Sequence, residues 1–371
     1  MNSILPLTIK ALSTDQELLE KLPHLFSSFD IFALKPQFEL NDLDLPFPGI
    51  ILFTSGSSGQ SKAVYFSHQS LRLAAQRSIQ FYQLTKDDGI VGALPLYHMG
   101  GLLSLLRSLG TGATFEYINP ATVQDELGHT TGNVISLVPA QLARCLENAS
   151  ALKRLKEMKV IILGGEAPSK SLLQKALNQR LKISVSYGAT ETGGQICAHS
   201  PGSLLNLESF GFPFDGMKIR PINQQTLVEG PGVADALIIN GIVQPLFQQV
   251  LLNDHTELNI QDGLHVFGRS DLLFKSGGKF VDPFKITMIL KNQFDFNECY
   301  LLPLAEETWG NVGVLFYERN NELSTVEKNM MRSMLDRHEV PSHFIKLGPL
   351  KNGIKRNKDE LYELLRKERL L

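Results

Sequence analysis

The sequence predicts an α/β protein with a large N-terminal domain, which includes a small β-rich subdomain, and a small α+β C-terminal domain. Its 371 residues, 43% of them hydrophobic, are enough for two or three domains. Apolar strand-like runs alternate with amphipathic stretches up to about residue 202, shorter strands with turns follow, and a second alternation starts near residue 272. We therefore place the N-terminal domain at residues 1–270, its β-rich subdomain at about 203–270 and the C-terminal domain at 271–371.

The first part of the chain is typical of βα units. Its strand-like runs are GIILF, IVGALPL, NVISLVP, KVIILGG and KISVSYG, and the helical stretches between them are SLRLAAQRSIQFYQL, LLSLLRSL, QLARCLE and KSLLQKAL. Units of this kind usually build a mostly parallel sheet with helices on both faces. Ligands then bind where the strands end, and the polar motifs described below stand at such ends.

The two smaller regions have different patterns. The β-rich subdomain contains NQQTLVEGPGVADALIINGIVQPLF, in which short strands are separated by turns. In the C-terminal domain, the strand-like FKSGGKFVDPFKI, LLPL and NVGVLFY alternate with the helical TVEKNMMRSMLDRH and KDELYELLRKERLL. We expect a hinge between the two domains near Asp271.

The composition excludes several classes of partner. Lys and Arg total 36 and Asp and Glu total 38, so no strong field marks nucleic acid or an anionic membrane surface as the main partner. The three cysteines, Cys145, Cys197 and Cys299, lack the spacing of a zinc site or a disulfide framework. The first residues lack the features of a signal peptide and no segment approaches a membrane span, so we expect a cytoplasmic protein.

The most informative motif is FTSGSSGQSK, which follows the apolar run GIIL and is typical of a loop that binds phosphate. Gly56 and Gly59 let the main chain approach an anion, and Lys62 adds a mobile positive charge. Hydroxyl donors come from Thr54, Ser55, Ser57 and Ser58. Because Lys62 does not follow a glycine, the motif differs from the GxxxxGK[ST] loop of P-loop NTPases. A flexible turn between a strand and a helix is the alternative.

This loop and the motifs after it resemble those of the adenylate-forming superfamily of acyl-CoA ligases, luciferases and peptide synthetase adenylation domains. The later motifs are LPLYHMGG from Leu94, ILGGEAP from Ile162, YGATE from Tyr187, GFPFDG from Gly211 and GRSDLLFKSGGKFVDPFKI from Gly268. Each motif alone is weak, and it is their joint occurrence in the family's order that carries the resemblance. The resemblance implies that a carboxylate attacks ATP to give an acyl-adenylate, and that a thiol then displaces AMP.

The resemblance also assigns the ATP site. The loop from Thr54 to Lys62 would hold the β- and γ-phosphates, and Tyr187 would stack on adenine. The adenine side would include Gly164, Gly165, Glu166 and Gly188. Asp254 would accept hydrogen bonds from both ribose hydroxyls, assisted by Arg269. A plain turn aspartate is the alternative, since LLND stands where the family usually has TGD.

Four residues receive catalytic roles from the resemblance. Glu191 would bind Mg²⁺ through a hard oxygen, Thr190 would hydrogen-bond the α-phosphate, and Lys355 would bridge the carboxylate and the α-phosphate. His98 would lie at the acyl pocket. The alternatives are a helix-capping or solvated carboxylate for Glu191, a satisfied pocket-wall histidine for His98 and a solvated lysine for Lys355, where Ile354 replaces the family's customary glycine.

The resemblance further implies a mobile C-terminal domain that rotates between the two steps. Asp271 occupies the hinge position, and rotation would present Gly277 and Gly278 to the narrow pantetheine arm of CoA. The implied cofactors are ATP, Mg²⁺ and CoA as co-substrate, and the implied partner is a small carboxylic acid. Nucleic acid and stable membrane association are not expected, and a homodimer is left open.

Within the superfamily, VISLVPAQLARCLE and LKEMKVIILGGEAPSKSLLQKA are most similar to ligases that act on o-succinylbenzoate in menaquinone biosynthesis. A ligase for another aryl or aliphatic acid, delivery to a carrier protein and a non-catalytic adenylate-binding protein are the alternatives, because these motifs do not describe the acid pocket. Only about fifty residues precede the phosphate loop, fewer than in most members, so we expect much of one sheet to be missing or reduced.

Overall fold

The computed structural model describes residues 9–27, 30–40, 43–54, 62–204, 206–294, 296–348, 358–368 and 370. Two groups of predicted site residues lie outside these ranges. They are the loop positions Ser55, Gly56, Ser57, Ser58 and Gly59, and the predicted catalytic Lys355.

The strands, numbered along the chain, are β1 Ile9–Leu12, β2 Ile31–Leu34, β3 Gly49–Thr54, β4 Lys62–Ser67, β5 Gly89–Gly92, β6 Thr114–Tyr117, β7 Val134–Leu137, β8 Val160–Leu163, β9 Ile183–Ala189, β10 Gly194–Ala198, β11 Phe212–Pro213, β12 Lys218–Ile222, β13 Gln225–Glu229, β14 Ala236–Ile239, β15 Ile242–Pro245, β16 Gln249–Leu252, β17 Asp254–Asn259, β18 Gly263–Arg269, β19 Phe274–Ser276, β20 Lys279–Val281, β21 Glu298–Glu306, β22 Gly310–Glu318 and β23 His343–Lys346. The α-helices are α1 Asp15–Lys21, α2 His68–Tyr82, α3 Met99–Thr111, α4 Val123–Glu126, α5 Pro139–Glu147, α6 Ala149–Glu157, α7 Lys170–Asn178, α8 Pro283–Phe294, α9 Thr325–Met334 and α10 Lys358–Lys367.

Two large sheets form the N-terminal domain, and the prediction of mostly parallel sheets holds for only one of them. In the second sheet, of order β11-β10-β9-β8-β7-β5-β6, the strands from β9 to β6 pair in parallel. The first sheet, of order β1-β2-β3-β4-β14-β15, is mixed. Its antiparallel half starts where β3 and β4 form a hairpin around the phosphate loop, with Thr54 opposite Lys62. A hairpin reverses the chain, which excludes parallel pairing at this point.

The segment before the phosphate loop adds strands to the first sheet. β1 pairs in parallel with β2 and β2 with β3, and Leu34 lies opposite both Leu12 and Leu52. The four residues of β2 are all buried. Two strands therefore extend the first sheet beyond β3.

Helices α2 and α3 lie between the two sheets. Their buried residues, among them Leu71, Leu102 and Leu106, share a hydrophobic cluster with Ile50 and Phe66 of the first sheet. α3 buries side chains all around its axis, as a helix covered on every side must. In the second sheet, β7, β8 and β9 are parallel neighbours, so the motifs after these strands lie at the same edge of the sheet.

The remaining sheets are smaller and antiparallel in most pairings. In the region predicted to be a β-rich subdomain, β12-β13-β16 and β17-β18 form sheets of their own, whereas β14 and β15 join the first sheet. The predicted C-terminal domain contains the hairpin β19-β20 and the sheet β21-β22-β23. In the C-terminal domain, α8 packs on one side through Ile286 and Leu290, and α10 contributes Leu361 and Leu365 to a separate cluster. The short 3-10 helix Ser270–Leu272 lies at the predicted domain boundary. Among the described residues, the helices are too short or too polar to cross a membrane.

Candidate active site

An ion pair joins the phosphate-loop hairpin to the YGATE motif. Lys62, the first residue of β4, places its Nζ 2.5 Å from Oε1 of Glu191. The two side chains are 28% and 16% exposed, so solvent screens the pair only in part. Thr54 Oγ1, across the hairpin, approaches the Lys62 carbonyl at 3.5 Å. Two residues that the sequence assigns to phosphate and to metal therefore meet at one point.

The turn between β9 and β10 fixes the main chain around Glu191. The Glu191 carbonyl accepts a hydrogen bond from the Ala234 N–H at 2.9 Å. Thr192, fully buried, accepts from the Ala189 N–H at 2.9 Å through its Oγ1. A Cβ at Gly188 would lie 2.1 Å from the Gly194 carbonyl oxygen, so only glycine fits there. Thr190 is half-buried in this turn.

The predicted adenine and ribose residues form one hydrogen-bonded group. The Tyr187 hydroxyl donates to Asp254 Oδ2 at 2.8 Å, and a guanidinium nitrogen of Arg269 lies 3.8 Å from Asp254 Oδ1. Burial raises the pKa of Asp254, while Arg269 and the Tyr187 hydrogen bond oppose that rise. Burial next to Asp254 also raises the pKa of Tyr187. The phenol therefore stays protonated at neutral pH and orients the carboxylate.

Arg269 connects this group to the predicted hinge. It makes a two-point contact with Asp271, with both N–O distances at 2.9 Å. Burial alone would lower the pKa of Arg269, but Asp271 and Asp254 outweigh it and raise the pKa. The arginine is thus a fixed cation between the carboxylates of Asp254 and Asp271.

The adenine-side loop faces the C-terminal domain. Gly164 donates its N–H to the Leu137 carbonyl at 3.1 Å, and Gly165 has a φ of +84°, which favours glycine. Glu166 Oε2 lies 3.6 Å from Nζ of Lys291 on α8. Both side chains are mostly buried, and the pair joins the loop after β8 to the other domain.

His98 stands immediately before α3, beside residues from the N-terminal segment. Its ring lies 4.6 Å from that of Tyr97, and Nζ of Lys35 lies 4.3 Å above the Tyr97 ring. His98 keeps an exposed surface, yet the protein around it displaces water, and this desolvation together with Lys35 lowers its pKa, whereas Asp15 opposes the shift. The sequence analysis missed Lys35 and Asp15, because no motif covers their segment and their approach to His98 is non-local.

The two glycines predicted to face CoA form the turn of the β19-β20 hairpin. Gly277 and Gly278 have φ values of +56° and +80°. A Cβ at Gly277 would lie 2.5 Å from the Trp309 ring, whereas a Cβ at Gly278 would meet no atom within 4 Å. Gly277 is therefore needed for packing, and Gly278 leaves open space that another molecule could approach.

The donor set fits a magnesium ion that arrives with a nucleotide. Mg²⁺ is usually bound by one or two carboxylates together with substrate phosphates. Glu191 offers one carboxylate, and Lys62 beside it can bind phosphate oxygens. Phosphates that attract Lys62 would release Glu191 for the ion.

These features define a nucleotide-binding α/β protein, and comparison with known sequences establishes which kind. The sequence profile of the AMP-binding enzyme family matches residues 16–242. The chain belongs to the AMP-binding enzyme family, which confirms the resemblance seen in its motifs.

Individual relatives are more distant. The chain is 27% identical over 320 residues to 2-succinylbenzoate–CoA ligase of Escherichia coli strain K12, with 85% of this chain and 68% of that protein covered. It is 26% identical over 317 residues to 2-succinylbenzoate–CoA ligase of Staphylococcus epidermidis, with 81% and 66% covered. The chain spans about two thirds of the length of these relatives.

Solved structures share the fold. An Escherichia coli MenE variant with bound OSB-AMS superposes with a TM-score of 0.79 at 21% identity, covering 99% of this chain and 89% of that one. The o-succinylbenzoate CoA synthetase of Bacillus subtilis in complex with the acyl-adenylate intermediate OSB-AMP gives 0.71 at 22% identity, covering 95% and 82%. These likenesses confirm the predicted fold class.

Proposed function

We propose that this protein is an ATP-dependent acid:CoA ligase that works through an acyl-adenylate, with o-succinylbenzoate as the acid. The observation that carries the ATP chemistry is the Lys62–Glu191 pair, which brings a phosphate-binding cation and a magnesium-binding carboxylate to one point. The names of the relatives support the choice of acid.

In the first step the carboxylate attacks the α-phosphate of ATP and pyrophosphate leaves. Negative charge then builds up between the attacking and the leaving oxygens, and fixed cations and N–H donors lower the barrier. Lys62 would leave Glu191 for the β- and γ-phosphates, and Thr190 would donate a hydrogen bond to the α-phosphate. Mg²⁺ bound at Glu191 would neutralise part of the phosphate charge. Lys355, outside the described residues, keeps its predicted role on the carboxylate and the α-phosphate.

The nucleoside would bind against the group formed by Tyr187, Asp254 and Arg269. The Tyr187 ring would stack on adenine while its hydroxyl holds one oxygen of Asp254. Asp254 keeps further lone pairs for the two ribose hydroxyls. The nearby Arg269 favours the ionised form of Asp254. Gly164, Gly165 and Glu166 would line the other side of the base.

In the second step the thiol of CoA attacks the acyl carbon and AMP leaves. We infer that the C-terminal domain turns about Asp271 and brings the β19-β20 turn to the pantetheine arm. The open space at Gly278 supports this role. The Arg269–Asp271 contact would have to adjust during the rotation, which links the state of the nucleotide site to the position of the domain.

The proposal includes a location in the cytoplasm, where ATP and CoA are available. A homodimer stays a prediction from the sequence.

The test measures pyrophosphate release from ATP and Mg²⁺ with o-succinylbenzoate, and with a panel of benzoates and fatty acids, each with and without CoA. Release specific to o-succinylbenzoate, together with a CoA thioester product, is the expected result. Release with another acid would keep the mechanism and replace the substrate. ATP binding without release across the whole panel would contradict a catalytic function.

A further inference from the structure

A buried arginine on α2 contacts the turn that carries Glu191. Arg77 is 4% exposed, and its guanidinium donates to main-chain carbonyls in two separate segments. These carbonyls belong to Gln195 at 3.0 Å, Gly193 at 3.1 Å, Pro231 at 2.5 Å and, in a short contact, Thr192. One side chain thus joins the residues that follow Glu191 to the separate segment at Pro231.

These contacts explain how a cation is tolerated in the protein interior. A buried charge needs strong partners, and the guanidinium fork can bind several carbonyl oxygens at once. Burial lowers the pKa of Arg77 to about 10, which still leaves it charged at neutral pH. Among the described residues, the Arg77 guanidinium donates to main-chain oxygens and to the sulfur of Met217, so the charge acts mainly on the backbone.

The arginine binds the two chain segments that meet at the Glu191 carbonyl. Thr192 and Gly193 directly follow Glu191. Pro231 begins the segment that reaches Ala234, whose N–H donates to the Glu191 carbonyl at 2.9 Å. The two segments also pack closely, since a Cβ at Gly193 would lie 2.2 Å from the Gly232 oxygen.

The same helix is connected to Lys62 through β4. α2 follows β4 directly, and its N-cap Ser67 accepts a hydrogen bond from the Ser70 N–H. Lys62 starts β4, so a rigid strand and helix connect the Lys62 main chain to the Arg77 side chain. The position of the Glu191 carboxylate relative to Lys62 therefore depends on where Arg77 holds the turn.

We propose that Arg77 is a positioning residue that holds the Glu191 turn beside Lys62 and so sets the affinity for magnesium-bound ATP. This inference rests on the proposed function and extends it to a residue that contacts neither ATP nor metal. Residues behind a metal ligand commonly change metal affinity by about 10- to 100-fold when altered.

Arg107 provides a matched control. It is 1% exposed and lies on the neighbouring α3. Its partners are side chains, Ser78 Oγ at 2.8 Å, Ser136 Oγ at 3.1 Å and Gln195 Oε1 at 2.5 Å. Burial lowers its pKa to about 10 as well. The two arginines therefore share burial and charge, but Arg77 binds main-chain oxygens of the Glu191 turn, whereas Arg107 reaches that region only through the Gln195 side chain.

The experiment compares R77K and R107K in the full-length protein. Calorimetry measures ATP affinity at saturating and at zero Mg²⁺, and a thermal melt measures stability. We expect R77K to reduce the gain in ATP affinity on adding Mg²⁺ by about tenfold. R107K should lower the melting temperature about as much as R77K does, but it should leave the gain in ATP affinity on adding Mg²⁺ unchanged. R77Q, which keeps two donors, serves as the second variant if R77K does not fold.

Equal gains for R77K and wild type, or equal losses for R77K and R107K, would overturn the positioning role and leave a purely structural one. A wild-type protein whose ATP affinity does not respond to Mg²⁺ would instead contradict the proposed function itself, and with it this inference. The wild-type measurement therefore separates the two failures.

Discussion

Single residues in this protein act through charges that are only partly solvated. Lys62 and Glu191 neutralise each other across the gap where phosphates and a metal ion are proposed to bind. The pair keeps either charge from standing alone in a half-buried place, which would be costly. When ATP and Mg²⁺ bind, Lys62 would pair with phosphate and Glu191 with the metal ion. Both charges would therefore be compensated with and without the nucleotide.

We expect Glu191→Gln to raise the Mg²⁺ concentration needed for half-maximal pyrophosphate release by at least about tenfold, since an amide binds a hard cation less well than a carboxylate. Titration of Mg²⁺ at saturating ATP checks this. Glu229→Gln is the control, because Glu229 pairs with Arg220 in the β-rich subdomain. An unchanged magnesium dependence in the Glu191 variant would remove this residue from the metal site.

Asp254 should show a conflict between stability and function. Its pKa is raised in the folded protein, chiefly by burial, so the folded state favours the protonated form more than the unfolded state does. Ionised Asp254 therefore reduces stability at neutral pH, and this penalty disappears as the pH falls through its folded-state pKa. We expect Asp254→Asn to raise the melting temperature at pH 7 and to weaken ATP binding.

Thermal melts of wild type and Asp254→Asn between pH 4 and pH 8 check whether the substitution raises the melting temperature and how this effect depends on pH. The stabilising effect of the substitution should shrink as the pH is lowered, because wild-type Asp254 is then protonated as well. Asp262→Asn is the control, since its pKa is lowered by hydrogen bonds with His265 and Asn206 and the sign is opposite. A constant difference across the pH range would show that the effect does not come from ionisation.

At the scale of elements, local patterns were predictable and pairings were not. The apolar runs GIILF and KVIILGG mark β3 and β8, because consecutive β-branched and leucine residues favour buried strands. The short runs of β1 and β2 gave no such signal, as four residues can belong to many structures. The mixed order of the first sheet depends on contacts of β4 with β14, which lie far apart in the chain.

The candidate site follows the same division. Each motif indicated its own residue, so Lys62, Glu191, Tyr187 and Asp254 were predicted one by one from resemblance. The direct contacts between them depend on how β4, β9 and β17 meet, which the sequence does not encode locally. Arg77 left one readable signal, a charge among the buried positions of α2.

The β19-β20 turn allows a test with a closely matched control. Gly278 and Gly241 both have a positive φ, +80° and +77°, and a Cβ at either would meet no atom within 4 Å. Alanine should therefore cost about 1–2 kcal/mol of backbone strain at each position. We expect Gly278→Ala to slow thioester formation from supplied acyl-adenylate, because its methyl group occupies the space proposed for pantetheine. Gly241→Ala should leave both half-reactions unchanged.

Rapid-quench assays of the two half-reactions check this expectation. Adenylate formation by Gly278→Ala should match that of wild type, since the turn is proposed to act only after rotation. If the two alanine variants behave alike in thioester formation, strain or a general effect explains the result and the CoA role of the turn is wrong.

At the scale of the whole molecule, polar contacts and a cavity lie where the predicted C-terminal domain meets α7 and the loop after β8. Lys291 of α8 pairs with Glu166, and the Lys170 N–H at the start of α7 donates to Asn292 Oδ1 at 2.9 Å. Beside them lies a cavity of ≈ 770 Å³ between α5 and α7 on one side and the C-terminal domain on the other. Polar contacts next to open volume are compatible with the domain rotation proposed above.

The Glu166–Lys291 pair should hold the arrangement of domains seen here. We expect Lys291→Met, which keeps the length of the side chain and removes its charge, to increase amide exchange in Ser270–Leu272 and at the start of α7 by roughly tenfold. That factor corresponds to about 1.4 kcal/mol, between the values of exposed and buried ion pairs.

Lys285→Met is the control, because Lys285 pairs with Glu339 inside the C-terminal domain. Exchange mass spectrometry on both variants decides the matter. Protection in the hinge that stays at the wild-type level in Lys291→Met would show that the apolar contacts around the cavity, and not this ion pair, keep the domains together.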